Sequence, residues 1–136
     1  MPKIFNGAKV NSLAIASVVF FDLVSKFLIK QKIFFDLPVI ENPGLPFGIN
    51  LPRFFSLLVV VLLLFFFIFC YQRYLAEAGS TLGFSLIVGG AISNILDRLG
   101  DFKVTDFINL GVSMVNLADL AILIGIGFLL IPKPKA

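Results

Sequence analysis

Histidine and tryptophan are absent from this 136-residue chain, cysteine occurs once, and charged side chains make up only 14% of it. Without histidine there is no Ser-His-Asp or Cys-His catalysis and no HExxH zinc site. The single thiol, Cys70, cannot form an internal disulfide; at the end of a Phe-rich apolar run it reads as a small packing or lipid-facing residue. Catalysis, if there is any, is left to carboxylates, lysine, hydroxyls and amides. The shortage of charge accompanies 59% hydrophobic residues and a mean hydropathy of +1.04, far from the balance of a soluble domain. A membrane is the natural solvent for such a chain. Seventeen Phe against two Tyr make the aromatic content apolar, suited to lipid contact and helix packing rather than to an interfacial belt. The formal net charge of +3 comes from Lys and Arg near the ends of apolar runs, which carries topology information and predicts no nucleic-acid partner.

A spanning helix needs about 20 mainly apolar residues. Segments 10–29, 54–71, 82–96 and 115–131 meet or approach this, which predicts an all-α integral membrane protein of four transmembrane helices in one domain, residues 1–136. The first segment contains Asp22 and Lys26 and is followed by no small-residue cleavage site, so it reads as a retained helix. Lys3 and Lys9 before the first helix, Arg73 after the second, and Lys133 and Lys135 at the end put both termini in the cytoplasm. Lys30, Lys32 and Arg53 oppose that bias, with Asp36 and Glu41 interspersed among them. On this topology residues 30–53 and 98–113, rich in Gly, Pro, Asn and Asp, face outside.

Ionisable groups inside a bilayer are costly unless paired or wetted, so each is by default a functional candidate. Asp22 and Lys26, spaced i, i+4, share a helix face and can neutralise each other, which also allows a purely structural ion pair. Asn94 and Asp97 on the third segment repeat in spacing as Asn116 and Asp119 on the fourth, so each helix offers an amide and an acid on one face. Between them Asp106 lies in the run Val104, Thr105, Asp106, Phe107, whose residues favour a short extended strand. Two carboxylates held close cannot easily both ionise; one keeps a proton while the other remains a base, the arrangement that water-mediated peptide hydrolysis requires. The alternative reading is that these acids cap helices or pair with Arg98 and Lys103. Gly89, Gly90 and Ala91 read as a close helix approach, and the turn-rich run from Glu41 to Gly48 is either a surface turn or a place where Asn42 binds a peptide backbone.

Five separated motifs then occur in order: Asp22, Ser25 and Lys26; Asn42, Gly44, Phe47 and Gly48; Gly89, Gly90, Ala91, Asn94, Asp97 and Arg98; Val104, Asp106 and Phe107; Asn116, Ala118 and Asp119. In these the sequence closely resembles the lipoprotein signal peptidase (signal peptidase II) family. The resemblance implies an aspartyl endopeptidase that cuts just before the S-diacylglyceryl cysteine of a prolipoprotein, in the outer leaflet of the bacterial inner (plasma) membrane. It implies Asp106 and Asp119 as the catalytic pair, Asn42 and Arg98 holding the substrate, and Asn94 and Asn116 orienting the site. Asp22, Lys26, Gly44 and Asp97 would support it. The implied partners are diacylglyceryl-modified prolipoproteins, membrane lipid and the cyclic peptide inhibitor globomycin; no metal or cofactor is implied, and a monomer is expected. Pro46 stands where the family pattern has Ala, Ser93 where it has Gly, and Val115 where it has Phe, all sparing the polar groups. The span between Asp106 and Asp119 is short for the family, so the external loop closing over the site is expected to be small.

The rival from another class is a small proton-coupled transporter or channel subunit with Asp22, Lys26, Asp97 and Asp119 as a proton relay; a non-catalytic assembly subunit is a third. The chain lacks the internal symmetry expected of a transporter, and Asn42, Asp97, Arg98, Asp106 and Asp119 cluster in the outer half.

Overall fold

A computed structural model describes residues 9–33, 36–45, 49–75 and 79–132. Lys3, Pro46, Phe47, Gly48, Lys133 and Lys135, all used in the sequence reading, lie outside the described residues. Among these residues four α-helices follow in order, α1 (Ser12–Lys30), α2 (Arg53–Cys70), α3 (Thr81–Asp101) and α4 (Leu117–Leu130). Short strands β1 (Ile40–Asn42), β2 (Val104–Asp106), β3 (Ile108–Asn109) and β4 (Met114–Val115) sit at one end of the bundle. β1 pairs antiparallel with β2, aligning Ile40 with Asp106 and Asn42 with Val104; β3 and β4 form a hairpin aligning Ile108 with Val115.

Capping side chains mark where the helices begin. Asn11 accepts a hydrogen bond from the Ala14 N–H at 3.0 Å to start α1, and Ser80 accepts from the Gly83 N–H at 3.1 Å to start α3. α3 ends where Phe102 turns into the left-handed region at φ 60°, which aims the chain into β2. α2 continues beyond Cys70 as a π-helical turn, Tyr71–Leu75, whose buried Tyr71 stacks on Phe84 of α3 at 4.1 Å between ring centroids.

Among the described residues three helices, with α2 taken through Leu75, are long and apolar enough to cross a membrane. The fourth differs from expectation: it spans 14 residues rather than the predicted 115–131, because Met114 and Val115 are drawn into the hairpin and Asn116 caps the helix. At about 1.5 Å per residue it is roughly 21 Å long, shorter than a hydrocarbon core of about 30 Å. α3 is longer than predicted, running to Asp101, so Arg98, expected in the external segment, is held on the helix together with Asp97.

Lipid tails give apolar side chains no reason to leave them, so association in a membrane relies on close packing and polar contacts. The structure has that character. Phe20, Phe21, Phe65 and Phe66 remain outward-facing and well exposed, while α3 is buried among its neighbours through small residues. A Cβ on Gly90 would lie 2.5 Å from the Ala118 carbonyl oxygen and 2.7 Å from Ile122 Cγ1; one on Gly125 would lie 2.6 Å from the Gly83 oxygen. α3 and α4 therefore touch backbone to backbone, one residue from Asp119. Gly90→Ala should lower stability by about 1–3 kcal/mol through this clash. Gly127→Ala, where nothing lies within 4 Å, should leave stability unchanged or slightly raised, as thermal unfolding of both variants in detergent would show.

Candidate active site

The first turn of α4 is closed by its own side chains. Asn116 Oδ1 accepts from the Asp119 N–H at 2.9 Å and Asp119 Oδ2 accepts from the Asn116 N–H at 3.2 Å, a reciprocal capping box. This fixes the Asp119 carboxylate at the helix N-terminus, and it leaves the Asn116 amide nitrogen free. That nitrogen donates to Asp106 Oδ1 at 2.8 Å. Asp106 is brought there by β2, which is paired to β1 on one side and held by Asp97, whose Oδ2 accepts from the Thr105 N–H at 2.8 Å. Acids from a strand and a helix thus converge on one asparagine.

A second layer lies deeper in the bundle. Lys26 Nζ, only 3% exposed, is 2.6 Å from Asp22 Oδ2 and 3.4 Å from Asp97 Oδ2, and donates to Asn94 Oδ1 at 3.1 Å. The fully buried Asp22 also accepts from the Ser93 hydroxyl at 2.6 Å and from the Ala118 N–H at 2.9 Å. One carboxylate on α1 therefore neutralises a lysine, anchors α3 and supplies a partner to an otherwise orphaned N–H in the first turn of α4. Asn94 completes the circuit by donating to Asp119 Oδ1 at 2.9 Å and accepting from Asn116 at 3.2 Å.

The outer edge is formed by β1 and the turn at its C-terminal end. Asn42 Oδ1 accepts from the Gly44 N–H at 3.0 Å, and buried Arg98 donates through Nη2 to the Gly44 carbonyl at 3.0 Å. Arg98 lies within electrostatic reach of Asp119, Asp106 and Asp97, and its Nε has no partner among the described residues. Lys103 does not engage these acids. It pairs with Glu41 at 3.3 Å, and Lys30 reaches the same glutamate at 3.4 Å. Burial pushes the Asp106 carboxyl up to about 6, and the neighbouring Asp119 charge pushes the same way, against the amides of Asn116 and Asn42 and the charge of Lys26.

Of the ten residues to which the resemblance gives site roles, Asp22, Lys26, Asn94, Asp97, Asp106, Asn116 and Asp119 form one hydrogen-bonded and ion-paired set, while Asn42, Gly44 and Arg98 form a second group at its edge, with Arg98 in electrostatic reach of Asp97, Asp106 and Asp119. Lys26 reaching past Asp22 to Asn94 has no local signal in the sequence, because the link joins residues 68 apart on two different helices. Ser93, a departure from the family pattern that spares its polar groups, adds one of its own, since its buried hydroxyl donates to Asp22; a hydroxyl beside Asn94 is the signal for such a partner. The link from Asp22 to the Ala118 N–H had no side-chain signature at all.

The profile of the family described as Signal peptidase (SPase) II matches residues 14–133. The chain belongs to the signal peptidase II family. Among curated members, the lipoprotein signal peptidase of Moorella thermoacetica is 33% identical over 123 residues, covering 80% of this chain and 82% of that one. The one from Halothermothrix orenii is 29% identical, covering 88% and 91%. A solved bacterial membrane enzyme shares the fold at 24% identity with a TM-score of 0.68, covering 85% of this chain and 82% of its own. Signal peptidase II membership makes the chain a multi-pass membrane protease, and nothing favours the transport reading.

Two measurements probe the electrostatics of the site. An acid whose pKa rises from 3.8 unfolded to about 6 folded binds its proton more tightly in the native state, so its contribution to stability is present at low pH and lost as pH climbs through about 6. Melting temperature should fall across that window, and Asp106→Asn should flatten the fall. Lys26→Met strands Asp22 in the bundle and should cost about 3–5 kcal/mol. Adding Asp22→Asn should restore part of that loss in the same unfolding assay.

Proposed function

We propose that the chain is a lipoprotein signal peptidase working as an aspartyl endopeptidase, with Asp106 and Asp119 as the catalytic pair. Its substrate is a prolipoprotein cut just before the S-diacylglyceryl cysteine. The observation that carries the assignment is Asn116, which hydrogen-bonds to both carboxylates at once, at 2.8 Å and 3.2 Å, although they come from different elements. In the reaction the ionised member of the pair takes a proton from water as the oxygen attacks the scissile carbonyl carbon. The protonated member gives its proton to the carbonyl oxygen. The resulting diol collapses when the second carboxylate recovers its proton from a hydroxyl, the C–N bond breaks, and the first acid protonates the leaving nitrogen. Two carboxyls and one water suffice, and both groups end as they began.

Asn94 and Asn116 orient the pair, while Asp22, Lys26, Asp97 and Gly44 support it. Asn42 and Arg98 bind the substrate backbone; Arg98 Nε, unpartnered among the described residues, is a spare buried donor for a peptide carbonyl. The diacylglyceryl chains stay in hydrocarbon and reach the site laterally along the Phe- and Leu-rich helix faces. Lys9 and Arg73 belong to the end of the bundle away from the sheets, which supports a topology with both termini cytoplasmic and the site in the extracytoplasmic leaflet of the bacterial inner (plasma) membrane. The enzyme acts as a monomer in contact with membrane lipid, and globomycin occupies the same site.

Purified protein should cleave a diacylglyceryl-modified prolipoprotein, and Asp106→Asn and Asp119→Asn should each slow it by about 10³-fold. Full activity in either variant would remove that residue from the pair. Wild-type protein that neither cleaves this substrate nor binds globomycin would revive the transporter reading.

A further inference from the structure

Asp106 and Asp119 share Asn116 but stand in unequal surroundings. Both oxygens of Asp119 face fixed donors, Asn94 Nδ2 at 2.9 Å and the Asn116 N–H at 3.2 Å, and the side chain occupies the first turn of α4, where unpaired N–H groups favour negative charge. Asp106 accepts from Asn116 at one oxygen and faces Asn42, at the end of a strand with no helix dipole behind it.

The difference traces to a lysine. An ammonium group only donates, so Asn94 must turn its oxygen toward Lys26 at 3.1 Å, and Asn116 donates to that same oxygen at 3.2 Å. The Asn94 nitrogen is thereby left pointing at Asp119. The charged groups around the pair are Asp22 and Lys26 from α1 and Asp97 and Arg98 from α3, and their charges cancel. One further negative charge is sustained by the donors at Asp119, whereas a second would stand beside it in a desolvated site.

We propose that Lys26, acting through the orientation of Asn94, keeps Asp119 as the ionised member of the pair and leaves the proton on Asp106. This rests on the aspartyl-pair reading above. Asp119 is then the base that takes the proton of the attacking water and later returns it to the leaving nitrogen. Asp106 is the acid that protonates the carbonyl oxygen and recovers its proton as the C–N bond breaks. Lys26, 3% exposed and engaged by Asp22, Asp97 and Asn94, acts through Asn94 and is a positioning residue.

The test is a pH titration of the carboxylic C=O stretch by infrared difference spectroscopy on the full chain in lipid nanodiscs, with prolipoprotein cleavage measured in parallel. The protonated-carboxyl band should vanish in Asp106→Asn. In Asp119→Asn it should persist, titrating at lower pH because the neighbouring charge is gone. Removing Lys26 and Asp22 together as Lys26→Met/Asp22→Asn should add a second carboxylic band that disappears on further adding Asp119→Asn. A band lost in Asp119→Asn and kept in Asp106→Asn would put the proton on the other acid and overturn the inference while leaving the pair intact. A Lys26→Met/Asp22→Asn protein with an unchanged band would remove Lys26 as the cause. Undiminished cleavage by both single Asp variants would instead overturn the aspartyl-pair reading on which the inference stands.

Discussion

A lysine ammonium 3% exposed among apolar helices is the constraint that organises this molecule. An unpaired ion there would cost several kcal/mol even after relaxation, so the fold holds only where Asp22, Asp97 and Asn94 all come within reach of Lys26. Because those partners sit on α1 and α3, satisfying the charge sets the rotation and height of one helix against the other. Asp22 extends the constraint to α4 by accepting from the Ala118 N–H. Three helices are thus registered to within a hydrogen-bond length by one buried group, the tolerance that general acid–base chemistry needs between its participants.

Apolar packing alone would register these helices weakly, because hydrocarbon solvates an outward Leu or Phe as well as another helix does. Close approach at Gly83, Gly90 and Gly125 supplies contact along α3 and α4, and the polar circuit supplies specificity along that contact. The two devices meet at Ala118, whose carbonyl oxygen faces Gly90 and whose N–H is held by Asp22. Asp119 is the next residue, so its placement derives from backbone contacts on both sides of Ala118 and from the capping box of its own helix.

Much of this arrangement was legible in the sequence, and the boundary of legibility has a physical cause. Asp22 with Lys26 and Asn94 with Asp97 are local pairs on one helix, and helical periodicity alone puts each pair on one face, whereas Asn116, expected on the helix with Asp119, caps it instead. The strand character of Val104 and Thr105 was likewise readable from β-branching, and the structure pairs it with β1. Local rules do not say which amide oxygen meets which donor across helices, so the Lys26–Asn94 and Ser93–Asp22 links came only with the fold. The extent of α4 was misjudged for a related reason. Met114 and Val115 are as apolar as the helix they precede, and only their pairing with Asn109 and Ile108 removes them from it.

The shortness of α4 comes from the same requirement that places the acids. A helix begun earlier, through Val115, would absorb Asn116 into its interior, where its side chain could no longer close the first turn or reach Asp106. Starting at Leu117 instead makes Asn116 a cap, and a cap is the one position from which a single residue accepts from its own helix while donating away from it. The hairpin of β3 and β4 then returns the chain from Asp106 to Asn116 in nine intervening residues, with Gly111 at φ 85° and the Gly111 N–H bonded to Asn109 Oδ1 at 2.8 Å in its turn. A shorter spanning segment is thus the consequence of putting a helix N-terminus, rather than a helix flank, against the second carboxylate.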